Sequence, residues 1–249
     1  MKNKTIFFIL AIMATLYLAS CSSPAKEDGE SSPNTLTEKE KNEGWKLLFD
    51  GKTTDGWHLY NKGDIPSAWM AVNGELYCKP DTFEVDHGDL LTDQTYGNFD
   101  LKFDWKISEA GNSGVFINVQ EDTLYPTAWT TGPEYQLLDN LGIHKEYLND
   151  STHWAACLYG FQKNLNEVEA RPAGTWNESE IKQEDGKVTY WLNGTKTAEM
   201  DFKSEEWKDL VNNSNFKTFP AFGQAIKGHI ALQDWARGVS FRNIKILEL

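Results

Sequence analysis

Glu134 and Gln136 stand two residues apart in Gly132-Pro133-Glu134-Tyr135-Gln136-Leu137-Leu138-Asp139-Asn140, the most polar of the strand-like runs. Strand alternation places these two side chains on one face and Tyr135 and Leu137 on the other. A carboxylate and an amide so spaced can reach one ligand together. The carboxylate suits proton transfer, the amide hydrogen bonding to a hydroxyl or an oxyanion. Asp139 joins them only at the strand end or across a bulge. An exposed sheet face carrying solvated polar residues explains the same spacing.

Three other segments mix polar residues with aromatic ones. Asn112-Ser113-Gly114 opens a strand whose polar face carries Asn118, and Trp176-Asn177 follows Pro172-Ala173-Gly174. Leu232-Gln233-Asp234-Trp235 is followed closely by Phe241-Arg242-Asn243-Ile244. Aromatic faces beside amides and carboxylates suit a sugar, whose CH groups stack while its hydroxyls are hydrogen-bonded. With 10 Trp in the chain, most must serve the core. The strong catalytic signatures are absent: no Gly-rich phosphate loop, paired CxxC, HExxH or GxSxG. His58, His87, His144, His153 and His229 are scattered without ligand spacing and read as surface or strand residues.

The elements that must position these residues are strands. The chain has 249 residues, 40% hydrophobic and 24% charged, with 13 Phe and 9 Tyr, which suits one large β domain and argues against disorder. Phe99, Leu101, Phe103, Trp105 and Ile107 alternate with Asp100, Lys102, Asp104 and Lys106. Ser113 to Gln120 sets Val115, Ile117 and Val119 opposite Phe116, Asn118 and Gln120. Lys187–Asn193, Gly228–Asp234 and Val239–Leu247 are further strands, the last with a bulge expected at Arg242-Asn243, where the apolar phase shifts. Asn73-Gly74 between Trp69–Val72 and Glu75–Cys78 predicts a hairpin. One short helix is expected over Ser204–Val211, with Ser204 as N-cap. The class is all-β, two antiparallel sheets packed as a sandwich. The net charge of −13 excludes a nucleic acid partner held by counterion release.

Lys2 and Lys4 followed by the apolar Thr5–Ala19 form a secretory signal, residues 1–20. It ends Leu18-Ala19-Ser20-Cys21, which resembles the lipobox of bacterial lipoproteins. Cys21 is the expected lipidation site, giving a membrane anchor without a spanning helix and a place in the bacterial cell envelope. Residues 21–44 read as a flexible tether, and 45–249 as the domain. Lys26-Glu27-Asp28 resembles the acidic surface-export signals of some Bacteroidetes lipoproteins. Cys78 and Cys157 are left as either a disulfide or two buried free thiols.

Several motifs, in order, carry a family resemblance. Leu47-Leu48-Phe49-Asp50-Gly51-Lys52 with Asp55-Gly56-Trp57 is similar to the opening LFNGKxLxGW of the 3-keto-disaccharide hydrolase domain family. Asn112-Ser113-Gly114-Val115-Phe116 resembles its NSGxxxR element, and Gly132 to Asp139 its GxEYQxLD strand. Gly174-Thr175-Trp176-Asn177, Leu192-Asn193-Gly194, and Gln233-Asp234 with Phe241 to Ile246 resemble its later elements. The resemblance implies a concanavalin A-like jelly-roll sandwich with a concave, carbohydrate-binding face. Asn118 stands where the family usually has Arg, and Trp235-Ala236 where it usually has His-Gly.

The resemblance also implies a carbohydrate substrate oxidised to a ketone at C3, and so a partner oxidoreductase that supplies it. Base-catalysed removal of the C2 proton, β-elimination of the C1 substituent and addition of water then give net hydrolysis. On this reading Glu134 is base or acid, and Asp139 or Asp234 is the second carboxylate. Gln136, Asn112, Asn118, Trp176, Asn177, Gln233 and Trp235 bind substrate, with Arg242 either an enolate stabiliser or a structural residue. A divalent cation could replace the protein's oxyanion donors; the sequence neither demands nor excludes one. Two alternatives are a non-catalytic carbohydrate-binding lipoprotein of the cell envelope and an ordinary retaining glycoside hydrolase. The latter needs two carboxylates about 5 Å apart, and the nearest match, Glu84-Val85-Asp86-His87-Gly88-Asp89, ends in Asp within a charged, turn-like stretch.

Overall fold

The computed structural model describes residues 32–79, 82–142 and 149–249. The signal sequence, Cys21, Lys26-Glu27-Asp28 and His144 lie outside the described residues. The strands are β1 (Lys46–Leu47), β2 (Trp57–Leu59), β3 (Trp69–Val72), β4 (Glu75–Cys78), β5 (Leu90–Thr92), β6 (Phe99–Ile107) and β7 (Asn112–Val119). They continue with β8 (Glu134–Leu138), β9 (Asn177–Glu184), β10 (Lys187–Leu192), β11 (Thr195–Asp201), β12 (His229–Leu232) and β13 (Val239–Glu248). Two helices complete the set, α1 (Glu38–Glu43) and α2 (Glu205–Asn212).

The strands form two antiparallel sheets, as the alternation predicts. The larger runs β11-β10-β9-β6-β13-β4-β3, with β1 also paired to β13; the smaller runs β2-β5-β12-β7-β8. Strand β6 buries Phe99, Leu101, Phe103, Trp105 and Ile107 between the sheets and turns its charged residues outward. Tyr135 of β8 meets Phe103 edge-on at 5.7 Å and Tyr190 at 5.1 Å, which locks the small sheet onto the large one. The Tyr135 hydroxyl is hydrogen-bonded to Ser179 Oγ at 2.7 Å, so the buried ring carries no unsatisfied polar atom.

Turn chemistry sets the strand ends. Asn73-Gly74 closes the β3–β4 hairpin, both residues at positive φ. The expected bulge in β13 is present: the register with β6 shifts between Arg242 and Lys245, with Asn243 at φ 53°. Ser204 caps α2 by accepting from Trp207 N. A second bulge breaks the alternation predicted for β7. Asn118 adopts φ 59°, so Val119 leaves the inter-sheet core and joins Phe116 on the outer face. There Tyr60, Leu91, Phe116, Val119, Ala128 and Ala231 form a separate apolar cluster beneath Trp129.

The domain begins earlier than the composition suggests. Residues 32–44, expected as tether, fold with the sandwich: Asn34 N donates to Asn243 Oδ1 at 2.7 Å, Asn243 N returns the bond at 2.8 Å, and Asn34 Nδ2 reaches Gly74 O. Helix α1 follows, closed by a capping box between Thr37 and Glu40 and pinned by the Glu40–Lys245 ion pair. Cys78 and Cys157 are both buried free thiols. No helix among the described residues is long and apolar enough to cross a membrane.

Candidate active site on the outer face of the small sheet

Strand register gathers the polar residues. Gly114 pairs with Gln136 and Phe116 with Glu134, while Ala231 pairs with both Phe116 and Leu91. Continued one residue past the end of β12, the same register sets Gln233 between Gly114 and Asp89, and Gln233 N donates to Gly114 O at 2.9 Å. Asp89, Gln233, Gly114 and Gln136 therefore form one cross-strand row, with Leu91, Ala231, Phe116 and Glu134 as the next row on the same face.

Gly114 is what lets this face hold a carboxyl. A Cβ at 114 would stand 2.0 Å from Glu134 Oε1, so the Glu134 carboxyl lies directly over β7. The Gln136 amide, oriented so that its nitrogen faces its acceptors, donates to Glu134 Oε1 and Ser113 O, each at 3.0 Å. Glu134 is 8% exposed, at the floor of a cleft of about 570 Å3 whose walls include Asn112, Trp129, His153, Tyr159 and Phe216. Burial, reinforced by the negative charge of Asp89, holds its carboxyl well above the usual carboxylate range.

A second cleft of about 430 Å3 adjoins the first, sharing Trp129, Gln233 and Trp235 with it, and is lined by Tyr60, Lys62, His87, Asp89 and Asp234. Burial pushes Asp89 up to about 7, against the backbone N–H groups of Asp234 and Ala128, with the Asp234 charge adding to the rise. Asp234 Oδ2 accepts from His87 Nδ1 at 2.9 Å and Gly88 N at 3.1 Å. The His87 pKa is raised by its hydrogen bond to Thr82 O and by Asp234, which favours an imidazolium–carboxylate pair. Among the described residues no three His, Cys, Asp or Glu side chains come together as a metal-ligand set.

Of the residues nominated from sequence, Glu134, Gln136, Asn112, Gln233, Asp234 and Trp235 converge here, Trp235 being 60% exposed. The others do not. Asp139 anchors the turn after β8, its Oδ2 accepting from Ala110 N at 2.9 Å and its Oδ1 from Leu141 N. Asn118 is 1% exposed and spends its amide on Gln183, at 2.7 and 3.1 Å in the two directions. Trp176 and Arg242 occupy the opposite side of the molecule, the solvent face of the large sheet. The Arg242 guanidinium stacks 4.2 Å from the Trp176 ring and its Nε donates to Asp104 at 3.0 Å. Asn177 is fully buried, accepting from Arg171 N and from Asn193 Nδ2.

Three site residues escaped the sequence reading. His153, paired with Asp150 at 3.1 Å and edge-on to Tyr159, and His87 were read as isolated histidines. Asp89 belongs to the charged stretch set aside as a glucanase signature. Glu84 and Asp86 of that stretch are exposed, as a turn requires, but Asp89 is buried because β5 begins beside it. Its position immediately before the apolar Leu90-Leu91 was the available signal.

The comparisons with known proteins bear on the family and the fold. The family model for the 3-keto-alpha-glucoside-1,2-lyase-like domain matches residues 44–247. A 3-keto-disaccharide hydrolase of Bacteroides thetaiotaomicron is 32% identical over 228 residues, covering 82% of this chain and 78% of that protein. A solved structure from Parabacteroides distasonis, described as a putative glycosyl hydrolase, superposes with a TM-score of 0.79 at 35% identity, over 88% of this chain and 100% of that one. A second such structure from the same organism gives 0.65 at 26% identity, over 82% and 99%. With the match spanning the whole two-sheet body, the chain belongs to the 3-keto-alpha-glucoside-1,2-lyase-like domain family.

Proposed function

We propose that this protein is a carbohydrate hydrolase whose substrates are glycosides already oxidised to a ketone at C3, cleaved by elimination and rehydration. One observation carries the reading: Glu134 is a buried carboxyl on the floor of an open cleft, made more basic by its surroundings. The family and the named relative supply the substrate class.

The C3 ketone acidifies the C2 proton, since the carbanion left behind delocalises as an enolate. Glu134, with its affinity for protons raised by burial, is in its carboxylate form a stronger base for that proton than an ordinary glutamate. The negative charge moves to the C3 oxygen, and Asn112 and His153 line the same cleft with the N–H groups an enolate needs. Expulsion of the C1 substituent gives an unsaturated keto-sugar, and water adding at C1 completes net hydrolysis. An oxidoreductase must supply the ketone. Residues 1–20 and Cys21 would place this chemistry at the bacterial cell envelope through a lipid anchor; loss of acyl-chain labelling in Cys21→Ala tests that.

The purified protein is to be incubated with a 3-keto-glucoside and with its unoxidised parent, with and without a divalent cation. Release of the aglycone from the keto-sugar alone, lost in Glu134→Gln, is the expected result. Cleavage of the parent glucoside would instead support ordinary glycoside hydrolysis. Binding without turnover would support a carbohydrate-binding lipoprotein.

A further inference from the structure

Asp89 is a buried carboxyl that this mechanism leaves without a task. It is 8% exposed and lines the smaller cleft, as Glu134 lines the larger. Its Oδ1 accepts from Asp234 N at 3.1 Å, at the end of β12, while the Glu134 carboxyl lies over Gly114 of β7. Since β5, β12 and β7 are successive hydrogen-bonded neighbours, the two carboxyls lie on the same face of the sheet, on either side of Gln233. Gln233 lies between them and faces both clefts, 8% exposed, with its Oε1 buried and without a hydrogen-bond partner. An orphaned buried carbonyl oxygen is costly unless a ligand satisfies it, and a sugar hydroxyl donates in the required sense.

We propose that Asp89 is the acid that protonates the departing glycosidic oxygen, and that the smaller cleft holds the leaving group, itself a sugar or another polyhydroxylated alcohol. The assignment rests on the elimination reading above. The substrate then straddles Gln233, its keto-sugar over Glu134 and its leaving group among Tyr60, Lys62, His87 and Trp235. Asp234 is the obvious rival acid, but its Oδ2 is already committed to His87 and Gly88 N, which makes it the support of the Asp89 loop.

The atoms balance. Glu134 takes the C2 proton, and the C–H electron pair enters the enolate. The enolate then collapses to re-form the C3 carbonyl and a C1–C2 double bond, breaking the C1–O bond. The departing oxygen takes the Asp89 proton, leaving a carboxylate. That carboxylate accepts a proton from the water attacking C1, and Glu134, its proton exchanged with solvent through the open cleft before water adds, protonates C2. Both groups end as they began. Held near 7, Asp89 can carry the proton where an ordinary aspartate would have lost it.

The test compares two leaving groups on one keto-sugar with the full chain. A nitrophenolate departs without a proton, whereas a sugar alkoxide does not. Asp89→Asn should lose about 100-fold in kcat/KM on a 3-keto-disaccharide and only a few-fold on a 3-keto nitrophenyl glucoside. Glu134→Gln should lose both activities. Equal losses by Asp89→Asn on both substrates, or none on either, would overturn the assignment while leaving the elimination intact. A wild-type protein inactive on both overturns the elimination itself, and the acid with it. Should Asp89→Asn fail to fold by circular dichroism, the wild type carries the test. Across a series of 3-keto-phenyl glucosides its rate should depend little on the leaving group's pKa, and a steep dependence overturns the role.

Discussion

The two sheets present outer faces made of similar residues with opposite electrostatics. On the large sheet, Trp176 lies between the Lys106 ammonium at 4.6 Å and the Arg242 guanidinium at 4.2 Å, with Asp104 and Glu75 pairing the same cations. Around Trp176 each of these four charges has an opposite neighbour, and the aromatic ring is a platform for the protein's own cations. On the small sheet, burial raises the proton affinity of both Glu134 and Asp89, the charge of Asp89 adding to the rise at Glu134, and the aromatic rings of Trp129 and Trp235 border open clefts. Paired charges are already satisfied. Buried carboxyls whose pKa values have been raised store proton-transfer capacity, which is the property of a reactive face.

That contrast breaks first at Glu134. Glu134→Gln should reduce turnover of a 3-keto-glucoside by about 10²–10⁴-fold while leaving the melting temperature unchanged or raised, because it removes a buried ionisable group. Near-normal turnover would show that the small-sheet face is not the reactive one. Gly114→Ala comes next. Its Cβ would fall 2.0 Å from Glu134 Oε1, and the displaced carboxyl should cost about 100-fold in kcat.

Stability against pH sharpens the same comparison. Asp89 binds its proton more tightly in the fold than in the unfolded chain, so it stabilises the fold below about pH 4 and that contribution is lost as pH rises to about 7. Glu134 acts in the same direction. Melting temperatures should therefore fall between pH 5 and 7, and Asp89→Asn should flatten the decline. Asn118→Ala, which leaves Gln183 Oε1 without its donor, should cost about 1–3 kcal/mol in chemical denaturation with kcat unchanged. Arg242→Met should cost about 1 kcal/mol through lost stacking and ion pairing, again with kcat unchanged. A collapse of kcat in Arg242→Met would return that residue to the reaction.

What the sequence made legible was whatever depends on local periodicity. The nine-residue alternation of β6, the Asn73-Gly74 turn, the bulge at Arg242-Asn243 and the Ser204 cap all appear as expected. Glu134 and Gln136 share a face for the same reason. The failures arise where a single backbone residue or a distant strand decides. Left-handed Asn118 inverts the face of everything after it in β7, and its own amide closes on Gln183 of β9. Asp89 ends a polar turn in sequence, yet pairing of β5 with β12 buries it in the site. Trp176 and Asn177 carry sugar-binding residue types on the wrong sheet, which composition cannot reveal. Asn34 looks like linker until its amide is seen to complete the β13 bulge.

The central claim is that C2 of the keto-sugar loses and regains a proton during cleavage. It is tested by running the reaction in heavy water and analysing the released 3-keto-sugar against an enzyme-free control. The account predicts one solvent deuterium at C2, acquired at the rate of bond cleavage. A product formed at that rate with its original C2 hydrogen would contradict it, and would mean that the glycosidic bond is hydrolysed without elimination.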